Sequence, residues 1–499
     1  MGELGSSNNQ EPTRPMIAHR AARGVLWTYL SFAGGKLLVF ASTVVLARLL
    51  VPSQFGQVAF ALLVISYLET VGDFGASSAL IYEQVEKKAA ANIAFLTSLG
   101  SAIGWFILVF FTAPFIADFF NDPEVVPLLR AMAWVFPITA LGNVHDAILR
   151  KELDFGKRVI PDLVSGAIKG LISILLAWYG WGAWSLVWGQ VAGAAVTTFI
   201  LWIVVPWRPS LTGSLALARR MFAYGSKIVS VNIVSAVVHD ADYVVVGRVL
   251  GATALGLYTM AYKIPELTIT MVIWVVGKVA FPVYAKLRDD PPALRAAFLS
   301  TLQYLSLLTV PVGVGLALLA GPFVELFFGP AWIGAVPAMQ ALAVAGTVRS
   351  LGSHAGDVYK AINRTDILVK LGVARAVVLI PAMIWGAQFG IFGVAVAQII
   401  ITAASTAVNL FIAGRVLDVS PLYLIAEFKN AAIGSLLMGT VVYMMSITLP
   451  EISPSAVRVA ILVVTGAAVY ATYMLVFNRR VLQQAWSFMI SAPQLTETR

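Results

Sequence analysis

The stretch VVLARLLVPSQFGQVA, Val44 to Ala59, closes the first long apolar run of the chain. It returns once, 200 residues later, as VVVGRVLGATALGLYT, Val244 to Thr259. Arg48 falls on Arg248, Leu50 on Leu250 and Gly56 on Gly256. In both copies an apolar run ends in one arginine, an uncharged turn follows, and a new apolar run begins. A pattern kept at that separation marks a duplicated unit.

The surroundings of the two copies say what is duplicated. Of 499 residues, 59% are hydrophobic and 12% charged, against about 25% charged in a soluble domain. The chain is therefore read as an all-α, polytopic membrane protein, with room for roughly a dozen or more spans of ~20 residues. It has no cysteine, which excludes a disulfide framework, a thiolate metal site and a cysteine nucleophile. Residues 1–17 are polar and lack the apolar core of a signal peptide. Fourteen apolar runs follow from about Arg23 to residue 477, broken internally by glycine and proline, which membrane helices tolerate.

Charge orders these runs. The odd-numbered connections, around 49–56, 116–127, 181–182, 250–255, 321–336, 389–390 and 450–456, contain no Lys or Arg. They do contain Asp118, Asp122, Glu124, Glu325 and Glu451. The even-numbered connections and both tails carry the basic residues, among them Lys88, Lys151, Arg208, Arg288, Lys360 and Arg415. The positive-inside rule then places both termini in the cytoplasm. The net charge of +9 is mostly this bias, which argues against a nucleic-acid partner.

The repeat extends beyond its opening stretch. APFIADFF (113–120) resembles GPFVELFF (321–328), and Gly142 and Asp146 sit near the same place as Gly352 and Asp357. Gly-rich turns lead into sixth runs that reach Gln190 or Gln398. The unit thus has six helices. An even number gives both copies one orientation and a cleft between them. The expected organisation is a disordered cytoplasmic tail (1–22), an N-terminal six-helix lobe (23–205), a cytoplasmic linker (206–220) and a C-terminal six-helix lobe (221–415). Two further transmembrane helices (416–477) and a cytoplasmic tail (478–499) complete it.

A charge at a helix centre costs ~2.5–3.5 kcal/mol on insertion scales, so mid-span charges need a partner, water or a role. Lys36, Lys169 and Arg375 fall near the middle of runs one, five and eleven, with no acid within one turn. They read either as ion pairs across helices or as a hydrated cationic cavity shared by both halves, and the second reading is preferred. Lys227 and Arg349 are weaker members of the set. Arg48 and Arg248 suit the dipole at the ends of their own helices. Glu69 and Asp73, at i,i+4, are expected on one face of helix two, and Asp240 and Asp242 on helix seven. These acids read as charge compensation, with an H⁺ or Na⁺ coupling site as the alternative. Lys263 and Glu266, at i,i+3, are expected to pair. No metal-ligand spacing, nucleotide loop or catalytic constellation is visible, and the outward loops are too short to build an enzyme site.

The run RGVLW (23–27), LARLLVPSQFGQVAFALLVI (46–65) and DFGASSALI (73–81), with DADYVVVGRVLGATALGLYTMAYKIPE (240–266), resembles the bacterial polysaccharide transporter family. These are Wzx-type flippases of lipid-linked oligosaccharides, within the multidrug/oligosaccharidyl-lipid/polysaccharide exporter superfamily. The resemblance implies two six-helix lobes, alternating access and a cationic cavity for the diphosphate-sugar headgroup of an undecaprenyl-diphosphate-linked repeat unit. It also implies an inner-membrane location, no enzymatic activity, no cofactor beyond a coupling ion, and pathway partners such as a polymerase and glycosyltransferases. The alternatives are a membrane-bound polymerase or ligase acting on lipid-linked glycan, or a drug or ion antiporter of the same superfamily. Mid-span cations disfavour a cationic drug as cargo.

Overall fold

A computed structural model describes residues 34–479 except 84, 211 and 450–454; within helices, the side chains of 155, 227, 228 and 230–239 also lie outside the description. Every regular element among the described residues is a helix. The first half comprises α1 (34–49), α2 (Pro52–Val71), α3 (Ala76–Tyr82), α4 (Lys87–Phe120), α5 (Val125–Met132), α6 (Val135–Lys151), α7 (Phe155–Trp178) and α8 (Ala183–Val204). The second comprises α9 (Leu215–His239), α10 (Ala241–Pro265), a π-turn (Glu266–Thr270), α11 (Met271–Lys286), α12 (Pro291–Phe327), α13 (Val336–Ser353), α14 (Ala355–Ala361), α15 (Thr365–Gly386) and α16 (Gly390–Leu417). Short α17 (Pro421–Ala426) leads to α18 (Lys429–Thr448) and α19 (Ser455–Phe477).

Eleven stretches of the described chain are long and apolar enough to cross a membrane, fewer than the fourteen expected. Two of them, Ala241–Lys286 and Thr365–Leu417, are each broken at a glycine, the first ten residues in and the second near its middle. Gly251, at φ 84°, breaks the first, and Gly390, at φ 72°, breaks the second. A positive φ is cheap only without a Cβ. The first expected run begins outside the described residues. Leu215–His239 is not among the eleven; it carries Arg219, Arg220 and Lys227.

The duplication is visible in packing. In the first half α4 packs on α6, α6 on α8 and α7 on α8; in the second α12 packs on α13, α13 on α16 and α15 on α16. Small residues permit the equivalent contacts. A Cβ on Gly142 would lie 3.1 Å from Thr198 Oγ1, and one on Gly352 would lie 3.0 Å from Thr406 Cγ2. The last two helices pack on each other and against α12.

The two copies of the opening stretch meet each other. A Cβ on Gly56 would stand 1.7 Å from the Ala252 carbonyl oxygen, and one on Gly256 would stand 1.9 Å from that of Pro52. Since Pro52 and Ala252 are also 200 residues apart, the contact repeats itself across the axis relating the lobes. Trp332 is fully buried and donates from Nε1 to the Ala47 carbonyl at 2.8 Å, while its ring meets Phe55 edge-on. Arg48 hydrogen-bonds the carbonyls of Glu325, Leu326 and Phe327. The expectation that Arg48 serves its own helix is therefore corrected: it caps the C-terminus of α12 in the other lobe, whose last carbonyls have no partner within their helix. The connections 49–56, 116–127, 181–182, 250–255 and 321–336 meet here, as Gln54 beside Gly182 and Gln57 on Glu124 also attest. This is the acidic end of the molecule, and it is sealed. The opposite, basic end carries the pairs Arg150–Asp146, Arg220–Glu86 and Arg295–Asp418.

Candidate functional site

The ionisable side chains expected at mid-span gather around α10 and the π-turn after it. Two groups form. On the first-lobe side, Lys36 from α1 and Lys169 from α7 lie within electrostatic reach of Lys263 on α10. Lys169 donates to Gln190 Oε1 on α8 and feels the charge of Glu69 on α2. All four of these charged residues keep accessible surface, and Glu69 is exposed, so they face open space rather than packed core.

On the second-lobe side, Arg349 of α13 and Arg375 of α15 line a narrow pocket with Tyr262, Glu266, Gln398 and Thr402. Arg349 donates to Tyr262 Oη at 3.2 Å and to Thr270 Oγ1 at 2.8 Å. The Arg375 Nε is buried without a hydrogen-bond partner, although Arg349, Tyr262 and Asp242 lie within its electrostatic reach. Thr270 closes the π-turn, an irregularity that often occurs at functional positions. Arg375 lines this pocket with Arg349, while Lys36 and Lys169 neighbour Lys263; Glu266 is close to Lys263 and also lines the pocket.

The acids differ from expectation. Helix α2 ends at Val71, and Asp73 lies in the turn that follows. Its two carboxylate oxygens accept from the amides of Gly75 (2.9 Å) and Ser77 (2.8 Å). Asp73 therefore caps the start of α3 and does not share a helix face with Glu69. Helix seven is likewise interrupted: α9 ends at His239, Asp240 is the N-cap, and α10 begins at Ala241. Asp242 is 1% exposed, and its Oδ2 accepts from Tyr258 Oη and Gln398 Nε2, both at 3.0 Å. Lys263 and Glu266 feel each other's charge, but no ion pair joins them; Glu266 lines the arginine pocket instead. Lys227 lies on α9, its side chain outside the description. No group of three or more His, Asp or Glu among the described residues could hold a metal ion.

Sequence reasoning missed Lys263, because a local acid explained it away. It also missed the tyrosines Tyr243, Tyr258 and Tyr262, whose rings meet at 5.7 to 6.3 Å. Tyr258 and Tyr262, at i,i+4, were the available signal; Tyr243 precedes the break at Gly251 and no local spacing links it to them.

A lobed helical bundle, sealed at one end, with cations held near its middle is the setting in which the comparisons fall. The model of a family described as polysaccharide biosynthesis protein matches residues 45–337. The chain belongs to this family. Its curated relatives include the lipopolysaccharide biosynthesis protein WzxC of Escherichia coli, 26% identical, with 79% of this chain and 81% of that protein covered. The succinoglycan biosynthesis transport protein ExoT of Rhizobium meliloti is 29% identical, with 76% of each covered. Among solved structures, the lipid II flippase MurJ in an inward closed conformation superposes with a TM-score of 0.73 at 18% identity, covering 92% of this chain and 100% of that one. An inward-facing multidrug resistance transporter of the MATE family gives 0.63 at 16% identity, covering 79% and 98%. The fold of this family member is therefore that of these all-helical transporters, and it is a multi-pass membrane protein.

Proposed function

We propose that this protein is a flippase that moves a polyprenyl-diphosphate-linked oligosaccharide across the bacterial inner membrane by alternating access, without chemically altering it. The observation that carries this reading is the set of five cations, Lys36, Lys169, Lys263, Arg349 and Arg375, around α10 between two lobes closed at the acidic end. A diphosphate is the anion such a set can hold, by charge-assisted hydrogen bonds from lysine and bidentate contacts from arginine. The named roles of WzxC and ExoT in polysaccharide biosynthesis and transport support the same reading. Glu69 then balances the lysines, and the undecaprenyl carrier, the pathway enzymes as partners and the absence of a coupling ion at Glu69 belong to the proposal. So does the count of fourteen crossings with both termini cytoplasmic. Cysteine placed at Asn121 should react with an impermeant thiol reagent from outside and cysteine at Lys88 should not.

The decisive experiment reconstitutes the protein in vesicles with a lipid-linked oligosaccharide. The substrate should cross and be recovered intact. Replacing Lys36, Lys169 or Arg375 with Ala should impair transport while insertion survives, and Glu should be worse than Gln because attraction becomes repulsion. Full transport by the triple Ala variant would defeat the proposal. Chemical conversion of the substrate would favour a polymerase or ligase.

A further inference from the structure

A second set of cations lies apart from the pocket, at the basic ends of α15 and α16. There a groove with about 1140 Å³ of open space is lined by Arg364, Asp366, Lys370, Leu371, Phe411 and Arg415 among others. Three cations face one acid. Asp366 accepts from Arg364 at 3.2 Å and lies 3.6 Å from Lys370. It pairs with both at the surface without neutralising the site. The Arg415 guanidinium lies over the Phe411 ring, 5.0 Å from its centroid. A guanidinium has five N–H donors, so a ring contact leaves donors for an acceptor.

The rest of the lining is apolar. It runs into a surface of exposed aliphatic side chains on α15, where Val369 is 66% and Val373 54% exposed. In a membrane-spanning helix such a surface meets acyl chains, and the basic ends of the helices meet headgroups. The groove therefore offers cations at headgroup depth and an apolar floor continuing toward the bilayer core. Basic pockets between transmembrane helices on the cytoplasmic side suit anionic headgroups.

We propose that this groove binds one anionic phospholipid of the surrounding bilayer, its phosphate between Lys370 and Arg415 and an acyl chain along Leu371 and Phe411. The bound lipid ties the end of α16 to the start of α15, the helix that carries Arg375.

The test is lipid retention. Protein in phosphatidylcholine nanodiscs is titrated with phosphatidylglycerol, and retained lipid is counted by native mass spectrometry. Phosphatidylglycerol should be retained over phosphatidylcholine. Lys370→Gln and Arg415→Gln should each lower its apparent affinity about fivefold. Lys88→Gln, which removes the same charge from an exposed site on the first lobe, should leave it unchanged. Leu371→Trp keeps every charge and fills the groove, so it should also lose retention while keeping the wild-type melting profile. Equal retention of the two lipids would overturn the assignment, as would an equal loss in Lys88→Gln or full retention in Leu371→Trp. Displacement of phosphatidylglycerol by a polyprenyl diphosphate at equal concentration would also overturn it, giving the groove to the transported lipid.

Discussion

Arg48 and Arg248 occupy the same place in the two copies of the repeat, yet they do different work. Arg48 crosses the seam and satisfies the carbonyls of Glu325, Leu326 and Phe327 at the end of α12. Arg248 reaches the equivalent helix of the first lobe, α4, but lies over the Phe119 ring at 5.3 Å. The turns after these helices differ. After α4, Asn121 takes a left-handed conformation and its amide returns to the Asp118 carbonyl. After α12, the amides of both Phe328 and Gly329 return to Val324, upstream of the three carbonyls that Arg48 takes. A duplicated arginine is thus placed by the repeat, while its bonding is decided by how the facing helix stops. The seam is symmetric in its glycines and asymmetric in its arginines.

The glycines give the largest expected effect. Gly56→Val and Gly256→Val each drive a side chain into a carbonyl less than 2 Å away, beyond what the ~1–3 kcal/mol of ordinary overpacking covers. Both should reduce glycan export to background in cells that still insert the protein, and by equal amounts. A large inequality between them would break the symmetry of the backbone contact.

The arginines should then separate. Arg48→Ala leaves end-of-helix carbonyls without their charged donor, a loss of about 1.5–3 kcal/mol. Arg248→Ala gives up an exposed cation–π contact of about 0.5–1 kcal/mol. Thermal unfolding in detergent should rank them in that order, and cysteine pairs across the seam should cross-link less in Arg48→Ala alone. Equal melting shifts would refute the asymmetry.

A smaller difference is expected between the two acids of helix two. Asp73→Ala removes a cap, worth about 1 kcal/mol, and should lower the melting temperature without changing transport per folded molecule. Glu69→Gln should leave stability nearly unchanged and alter substrate affinity. If Glu69→Gln instead abolished gradient-driven transport while binding survived, Glu69 would be a coupling site and its balancing role would fall.

These residues also mark where the sequence was legible. Gly56 and Gly256 were visible as a repeat because a 200-residue offset survives in plain text; that they touch was not, since contact depends on how two lobes dock. The mid-span lysines were legible through the cost of burying charge. That Arg349 and Arg375 line one pocket while Lys36 and Lys169 neighbour Lys263 was hidden, because it depends on how distant helices pack and no local spacing records that. Asp73 was misread because i,i+4 periodicity presumes an unbroken helix. The neighbouring Gly72 and Gly75, with Phe74 and Gly75 at positive φ, were the sign that it breaks. Lys263 was discounted because proximity in sequence to Glu266 passed for a bond.

Helix α9 begins at Leu215, inside the expected 206–220 connection, and it packs on α2 and α3 of the first lobe. Tyr224 stacks on Tyr82, and Gly225 lies against Gly75. The connection before it is stitched down as well, with Ser210 and Thr212 bonded to Asn92. The stretch between the lobes is therefore cargo of the first lobe and has no slack to give. The first break in the helices after that anchored stretch is where α9 gives way to α10 at Asp240, the nearest place for a swing of one lobe against the other to be taken up. Lengthening the linker would leave the swing as it is, whereas a rigid splice across Asp240 would arrest it.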